Sequence, residues 1–392
     1  MLRTFSSVIL TGASLVLAAD SNRRFNLPPP NPKGQVSNPS KVIPRPEGKN
    51  LLAPPGFTVE EYATGFQKPR GILQLPGGQV IITESLAKGG VYLVENGKRG
   101  KALVEGLDRP FGMALHKDYL YVSEAEAIER YKLDAKALTL GPAEMIVPLK
   151  GYGKPGGHWT RSLAFQGDKL YVSVGSGSNV DLGDPPDRAA IHVYNPDGRG
   201  REILATGLRN PVCIRFQPES KKLWAAVQER DGLGDEVALD FFTSITKGAF
   251  YGWPWAYNGP NEEPRHAGKN PEAVKKTVEP DMLLGAHVSA MDFVFYTGKQ
   301  FPAKYRNGAF LAYRGSSGRS KRVGYSIMFV PFKAGKPTGQ PEPFVTGWML
   351  GEDVKEVWGR PVGVAQLADG SLLLTEDGNN KMFKVTYKKP RS

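Results

Sequence analysis

Histidine is scarce in this chain, five in 392 residues, and two of the five open apolar strand patterns. His158 ends the glycine-rich run of GYGKPGGHWTRSLAF (151–165), three residues before Arg161. An imidazole titrates near neutrality, and a flanking cation keeps it unprotonated, so His158 is a candidate general base. The structural alternative is a histidine bonded to a loop carbonyl. His287 leads a later strand pattern, HVSAMDFVFYTG. Cations precede the other apolar strands: Lys68 with Arg70, then Arg109, Arg161, Arg209 and Arg360. The basic turn YRGSSGRSKRVGYSI (313–327) adds Arg314, Arg319, Lys321 and Arg322. It reads equally as a solvated turn and as an arginine fork for carboxylates. QERDGLGDEVALDFF, from Gln228, alternates carboxylates and glycines: Glu229, Asp231, Gly232, Gly234, Asp235 and Glu236. Such an oxygen-rich turn can hold a hard cation such as Ca²⁺, although it lacks EF-hand spacing and acidic turns are more often simply solvated. The aromatic run after it (Phe250, Tyr251, Trp253, Trp255, Tyr257) packs blades together or forms a sugar-stacking wall.

Whether these groups meet depends on the elements that carry them. A phrase recurs from Arg70, Arg109, Arg161, Arg209 and Arg360, with a looser copy from His287. It runs basic residue, often Pro, small residue, apolar stretch, polar turn, apolar strand ending near Glu, Gly or Ser. Each copy is a hairpin that cannot bury its own face. Self-similarity at about 40 to 75 residues predicts an all-β, six-bladed β-propeller. The residues before each inner strand then converge on one axis, and every blade brings a cation to the same end. Cations gathered without an anion repel one another and lose solvation. The ring therefore asks for a polyanionic ligand on the axis, with Glu84, Glu124, Glu229, Glu376 and Asp377 neutralising part of it.

Residues 1–19 have a cationic start, an apolar stretch and small residues before Asp20, the layout of a secretory signal peptide. The mature protein is expected to be secreted or periplasmic, and no later stretch reads as a membrane span. Export permits disulfides, yet Cys213 is the single cysteine and falls in an apolar strand, so a buried thiol is predicted. Residues 20–50 are rich in Pro, Asn and Lys without a core-building period and read as an extended arm or linker. The propeller is expected over 51–388. A formal net charge of +12 invites a nucleic-acid reading. Scattered basic residues and the lack of a stacking module or helical reader argue against it, and anionic surroundings or an acidic redox partner fit equally well. No G-x-G-x-x-G after a strand, P-loop, H-E-x-x-H or G-x-S-x-G occurs, so nicotinamide, nucleoside-triphosphate and lipase-type chemistry lose their usual support.

Taken together, GLRNP (207–211), GGHWTRSLAFQGDKLYVSVGSGSN, ERDGLGDE with its following YGWP, and RPVGVAQLADGSLLLTEDG resemble the glucose/sorbosone dehydrogenases over 51–387. These are six-bladed propellers that hold pyrroloquinoline quinone (PQQ), a tricarboxylate quinone, together with Ca²⁺. They include soluble glucose dehydrogenase, L-sorbosone dehydrogenase-like proteins and fungal pyranose dehydrogenases. The resemblance implies an exported sugar dehydrogenase with His158 as base and Arg209 against the quinone oxygens. It also implies Asn210 as a further donor, Arg360 and Arg314 as carboxylate clamps, and Ca²⁺ on backbone oxygens of Arg230 and Asp231. Arg109, Arg161 and His287 complete the predicted cofactor ring. The chain reads RGSSGR where the family pattern is HGSxxR, so Arg314 replaces the pattern's histidine and allows a changed substrate preference. Residues 258–284 form a long charged loop that could cover the site. With no attached cytochrome domain, electrons must leave to a separate acceptor, a cytochrome or a quinone. The alternatives are a metal-dependent lactonase-type propeller, which needs several inward carboxylates, and a non-catalytic propeller that binds a protein or glycan.

Overall fold

The computed structural model describes residues 25–389; the signal-like segment 1–19 lies outside them. Six sheets surround an axis, and their innermost strands are Pro69–Gln74, Met113–His116, Leu163–Gln166, Asn210–Phe216, Ala290–Phe295 and Pro361–Gln366, which open blades 1 to 6 in that order. Five blades are four-stranded antiparallel sheets, and in blade 2 both Thr139–Leu140 and Glu144–Pro148 pair with the third strand, Ala127–Asp134. The second strands VIITE, LWAAVQ, AFLAY and LLLTE lie between neighbouring blades and are buried almost throughout. This accounts for their near-continuous apolar sequence. The apolar core is accordingly divided among the blade interfaces. Leu75, Ile81, Val91 and Leu93 of blade 1 meet Leu120, Val122 and Tyr131 of blade 2 in one such layer.

The small residue in the repeated phrase latches blade to blade. Gly71 N–H donates to Thr83 Oγ1 (2.8 Å), whose hydroxyl donates to Phe111 O of the next blade (3.1 Å). Gly112, Ser123 and Arg161 O repeat the device between blades 2 and 3, and Gly363, Thr375 and Arg70 O between blades 6 and 1. A Cβ at Gly71 would lie 2.3 Å from Phe111 O, and one at Gly363 2.3 Å from Arg70 O, so no larger residue fits there.

The ring closes through Phe57–Ala63, which pairs antiparallel with Lys381–Tyr387 as the outer strand of blade 6. Closure removes free inner edges and joins the two ends of the propeller. Cys213 is a buried thiol whose Sγ–H faces Asp292 Oδ1 at 2.9 Å. Among the described residues the one α-helix is Pro271–Lys276, and no helix is long and apolar enough to cross a membrane.

Of the two readings of residues 20–50, the described part is a docked arm and not a free linker. From Asn31 onward it lies along the propeller, with Asn31 N–H on Leu233 O (2.7 Å), Asn38 N–H on Ser317 O (2.7 Å), and Lys41–Val42 paired in parallel with Glu356–Val357. The 258–284 loop does not cover the axis either. Its Glu263 forms a buried pair with Arg230, Arg265 pairs with Asp181, and His266 Nε2–H donates to Val180 O, which pins it along the flank of blades 3 and 4.

Candidate active site

A strongly polar cavity of about 180 Å³ opens on the axis, at the end where chains enter the inner strands. His158, Arg209, His287, Arg314 and Arg360 all line it, so strands distant in sequence do bring their leading residues together. Several of the turns that deliver these groups need left-handed backbone: Lys68 (φ 49°), Arg109 (φ 51°), His287 (φ 61°) and Gly207 (φ 73°) stand just ahead of inner strands. Non-glycine residues there cost conformational energy, which the packed blades impose.

His158 Nδ1 is 3.1 Å from Ser176 O and 3.0 Å from Ser176 Oγ. A carbonyl can only accept, and the hydroxyl is spent on Ser178 O at 2.6 Å, so Nδ1 carries the proton. Nε2 is left as a bare acceptor. Burial, then the Arg209 charge, push the imidazole down to about 3, so it is neutral at any working pH.

Arg209 is 5% exposed. It spends four of its five N–H donors on Asn179 O, Asn179 Oδ1, Glu229 O and, at 3.4 Å, Gln228 O. One Nη2 proton is left for a guest. Asn210 stands behind the wall: its Nδ2–H donates to Gln228 Oε1 (3.0 Å) and its buried Oδ1 has no partner.

In another corner two guanidinium groups pair with one carboxylate and a third acts on it through its charge. Asp377 accepts from Arg70 at 2.6 Å and from Arg314 at 3.0 Å, and the Arg360 charge also lowers its pKa. Burial, followed by Arg314, lowers Arg360, whose buried Nε has no partner. Positive charge therefore exceeds negative charge in this corner. Glu376 offsets it only in part: burial pushes its carboxyl up to about 7 while it caps the N–H groups of Arg360, Gly378, Asn379 and Lys381.

The third wall is acidic and was only partly legible. Glu229 and Asp240 face the cavity, pushed up by burial to about 8 and about 6. Glu229 Oε1 has no partner, and Asp240 accepts the N–H groups of Glu229 (3.0 Å) and Ala290 (3.2 Å). Asp240 was missed, although a carboxylate opening the buried stretch LDFFTS was a visible anomaly. Both ring nitrogens of His287 face acceptors, Asp231 Oδ1 at 3.0 Å and Gly234 O at 2.9 Å. With Asp231 beside it His287 is raised despite burial, and neither ring nitrogen is left free.

Two predicted ring members turn away. Arg161, fully buried, points its guanidinium at the carbonyls of His158, Thr160, Ala125 and Tyr152 (2.8–3.2 Å) and knits blades 2 and 3. Arg109 is held by Asp108 (2.8 and 2.9 Å) and Gly153 O (2.9 Å), beside Trp159. Carbonyls and a carboxylate close at hand satisfy both more cheaply than an empty axis does. The Arg230 side chain is likewise turned to Glu263, and Asp231 O accepts Asn179 Nδ2–H at 2.8 Å. Among the described residues no three His, Cys, Asp or Glu side chains converge as a metal cage.

Fold and cavity define a six-bladed β-propeller with a cationic axial site. A family profile, TrAA12-like, matches residues 51–240 and 260–388. The chain belongs to the TrAA12-like family. A calcium structure of a Trichoderma reesei carbohydrate-active enzyme of family AA12 superposes with a TM-score of 0.73 at 20% identity, covering 86% of this chain and 97% of that one. The holo pyranose dehydrogenase PQQ domain of Coprinopsis cinerea gives 0.74 at 19%, covering 88% and 98%. An uncharacterised protein of Borreliella burgdorferi is 29% identical over 357 residues, 86% of this chain and 91% of its own length. The neighbours in fold are thus of the group that the sequence motifs resemble.

Proposed function

We propose that the protein is an oxidoreductase that oxidises a hydroxyl-bearing carbon of a sugar with PQQ held in the axial cavity. The observation that carries this reading is the corner where Arg70 and Arg314 pair with Asp377 while the buried Arg360 Nε–H beside them has no acceptor. A guest with several carboxylates satisfies what the protein leaves open there. Arg360 and Arg314 grip its carboxylate end. Arg209 offers its remaining donor at the far end, beside Glu229, which is largely protonated at neutral pH. When bound, PQQ supplies a quinone carbonyl carbon that accepts hydride.

The remaining work falls to the chain. His158 presents Nε2 to the sugar hydroxyl and takes its proton as the carbon gives up hydride. Burial is the larger cause of the lowered His158 pKa and the Arg209 charge the second, and an anionic guest beside Arg209 would offset only the second. Calcium has a subordinate place in this reading. The carbonyl oxygens of Arg230 and Asp231 in this turn would hold Ca²⁺ beside the cofactor, where the ion would polarise the quinone. The remaining parts of the proposal are export, a single catalytic propeller behind the arm, and a separate electron acceptor.

The test is to add PQQ and Ca²⁺ to the purified protein, measure cofactor uptake, and screen sugars with a dye acceptor. His158→Ala is expected to bind PQQ as the parent does while turnover falls by about 10²–10⁴. Unchanged turnover removes the base assignment, and failure to take up PQQ overturns the whole reading.

A further inference from the structure

The arm, whose composition reads as an extended arm or linker, backs part of the cavity wall. Gln35 places its carboxamide between two loops. Nε2–H donates to Gly318 O at 2.7 Å and to Val36 O at 3.1 Å, while Oε1 accepts from Gly232 N–H at 2.9 Å and Gly234 N–H at 3.3 Å. Gly318 and Asp231, from the same two loops, line the cavity. A Cβ built on Gly318 would lie 3.1 Å from Gln35 Nε2, 3.4 Å from His287 Nδ1 and 3.5 Å from Asp231 Oδ1. Three side chains, from the arm, from blade 4 and from the start of blade 5, thus face one point of the wall.

Main-chain bonds on both sides fix the amide there. Asn31 N–H holds Leu233 O and Asn38 N–H holds Ser317 O. The almost fully buried Arg322 then clamps Asn38 through its carbonyl (2.9 Å) and Oδ1 (2.8 Å). Only a side chain with both donor and acceptor, of glutamine's reach, makes this set of bonds. Elsewhere Arg319 and Ser320 tie the same loops through Asp235. Loss of Gln35 therefore loosens the wall without unfastening the loops.

We propose that Gln35 is a positioning residue for the active-site wall, setting the separation of the loops that carry Asp231 and Gly318 and thereby the size of sugar admitted. This rests on the sugar-oxidising reading above. Gln35 touches neither reacting atom in that reading, so its effect belongs in substrate binding and not in the chemical step.

The test compares the full chain with Gln35→Ala and Gln35→Glu. In the cofactor-free protein, residue-resolved amide exchange at Gly232 and Gly234 is expected to rise by about tenfold in Gln35→Ala, since both amides lose their acceptor. In Gln35→Glu those amides stay protected, because the acceptor remains, while the bond to Gly318 O is lost. With PQQ and Ca²⁺, both variants are expected to raise KM for a monosaccharide by about tenfold with kcat within about twofold. Both should also gain in kcat/KM for a disaccharide relative to the monosaccharide. Unchanged exchange in Gln35→Ala, or unchanged selectivity between the two sugars, overturns the proposal. Should the parent oxidise no sugar, the size-selection half falls with the reading it rests on, and the exchange data alone decide whether Gln35 holds the wall.

Discussion

His158 sits where a histidine is hard to charge: its ring is enclosed, and Arg209 and Arg188 both act against a proton. That has a consequence in the absence of any ligand. The folded pKa, about 3, lies below the ordinary 6.5. As pH falls through 6.5 the unfolded chain takes up a proton at this residue that the folded chain refuses. Stability therefore declines between 6.5 and 3 on its account. His158→Gln removes this contribution, so melting temperature against pH should fall less steeply in the variant than in the parent over that window. Parallel curves would mean that the imidazole titrates as it does in water, and the neutral acceptor built on it would go. Residue type and spacing pointed to His158, Arg209, His287, Arg314 and Arg360, because chemistry-bearing groups at the head of repeated strands must share an axis. They did not reveal which of these groups find acceptors first. The carbonyls that claim Arg161 include that of Ala125, in a segment that no motif connects with it.

At the scale of the strand pair, the repeated phrase was visible long before its cause. Its small residue exists so that one backbone N–H can reach a Thr or Ser hydroxyl, and so that the hydroxyl can reach the next blade. In the latch that closes blade 6 on blade 1, Thr375 accepts from Gly363 N–H at 2.9 Å and donates to Arg70 O at 2.8 Å. Thr375 is fully buried, so water cannot replace it. Thr375→Val keeps shape but strands one donor and one acceptor, at a cost of about 2–4 kcal/mol. Thr375→Ser keeps the hydroxyl and should cost less than about 1.5 kcal/mol. Urea denaturation of both variants measures the difference. A valine variant as stable as the serine one would show that the blades are held by apolar contact alone. The acidic wall was less legible for a related reason. Glu229 reads as one carboxylate of an acidic turn and Asp240 only as a charge out of place in a buried strand, and their chemistry arises from being sealed beside each other once blade 4 folds.

The ring as a whole imposes a dependence that no blade has alone. Phe57 enters the outer strand of blade 6 opposite Tyr387, so the last sheet is complete only when both ends of the propeller have met. Its ring is the anchor of that meeting, with centroids of Phe301, Tyr305, Phe344 and Tyr387 at 4.8 to 5.2 Å. Removing it opens a cavity in the largest apolar cluster, where blades 5 and 6 join. Phe57→Ala should therefore destabilise by about 3 kcal/mol, the lower end of the range for a buried phenylalanine, since this one is only partly enclosed. The form of the transition matters as much as its position. Every blade leans on two neighbours, so a loss at the closure must be felt around the circle. Trp224 in blade 4 and Trp348 beside blades 5 and 6 are both buried and report by fluorescence, while far-ultraviolet dichroism averages all six sheets. In the variant both curves should shift together and remain coincident. A dichroism change that precedes the fluorescence change would mean that the closing strand peels away by itself, and that the ring is a row of blades sharing an axis and not one cooperative unit.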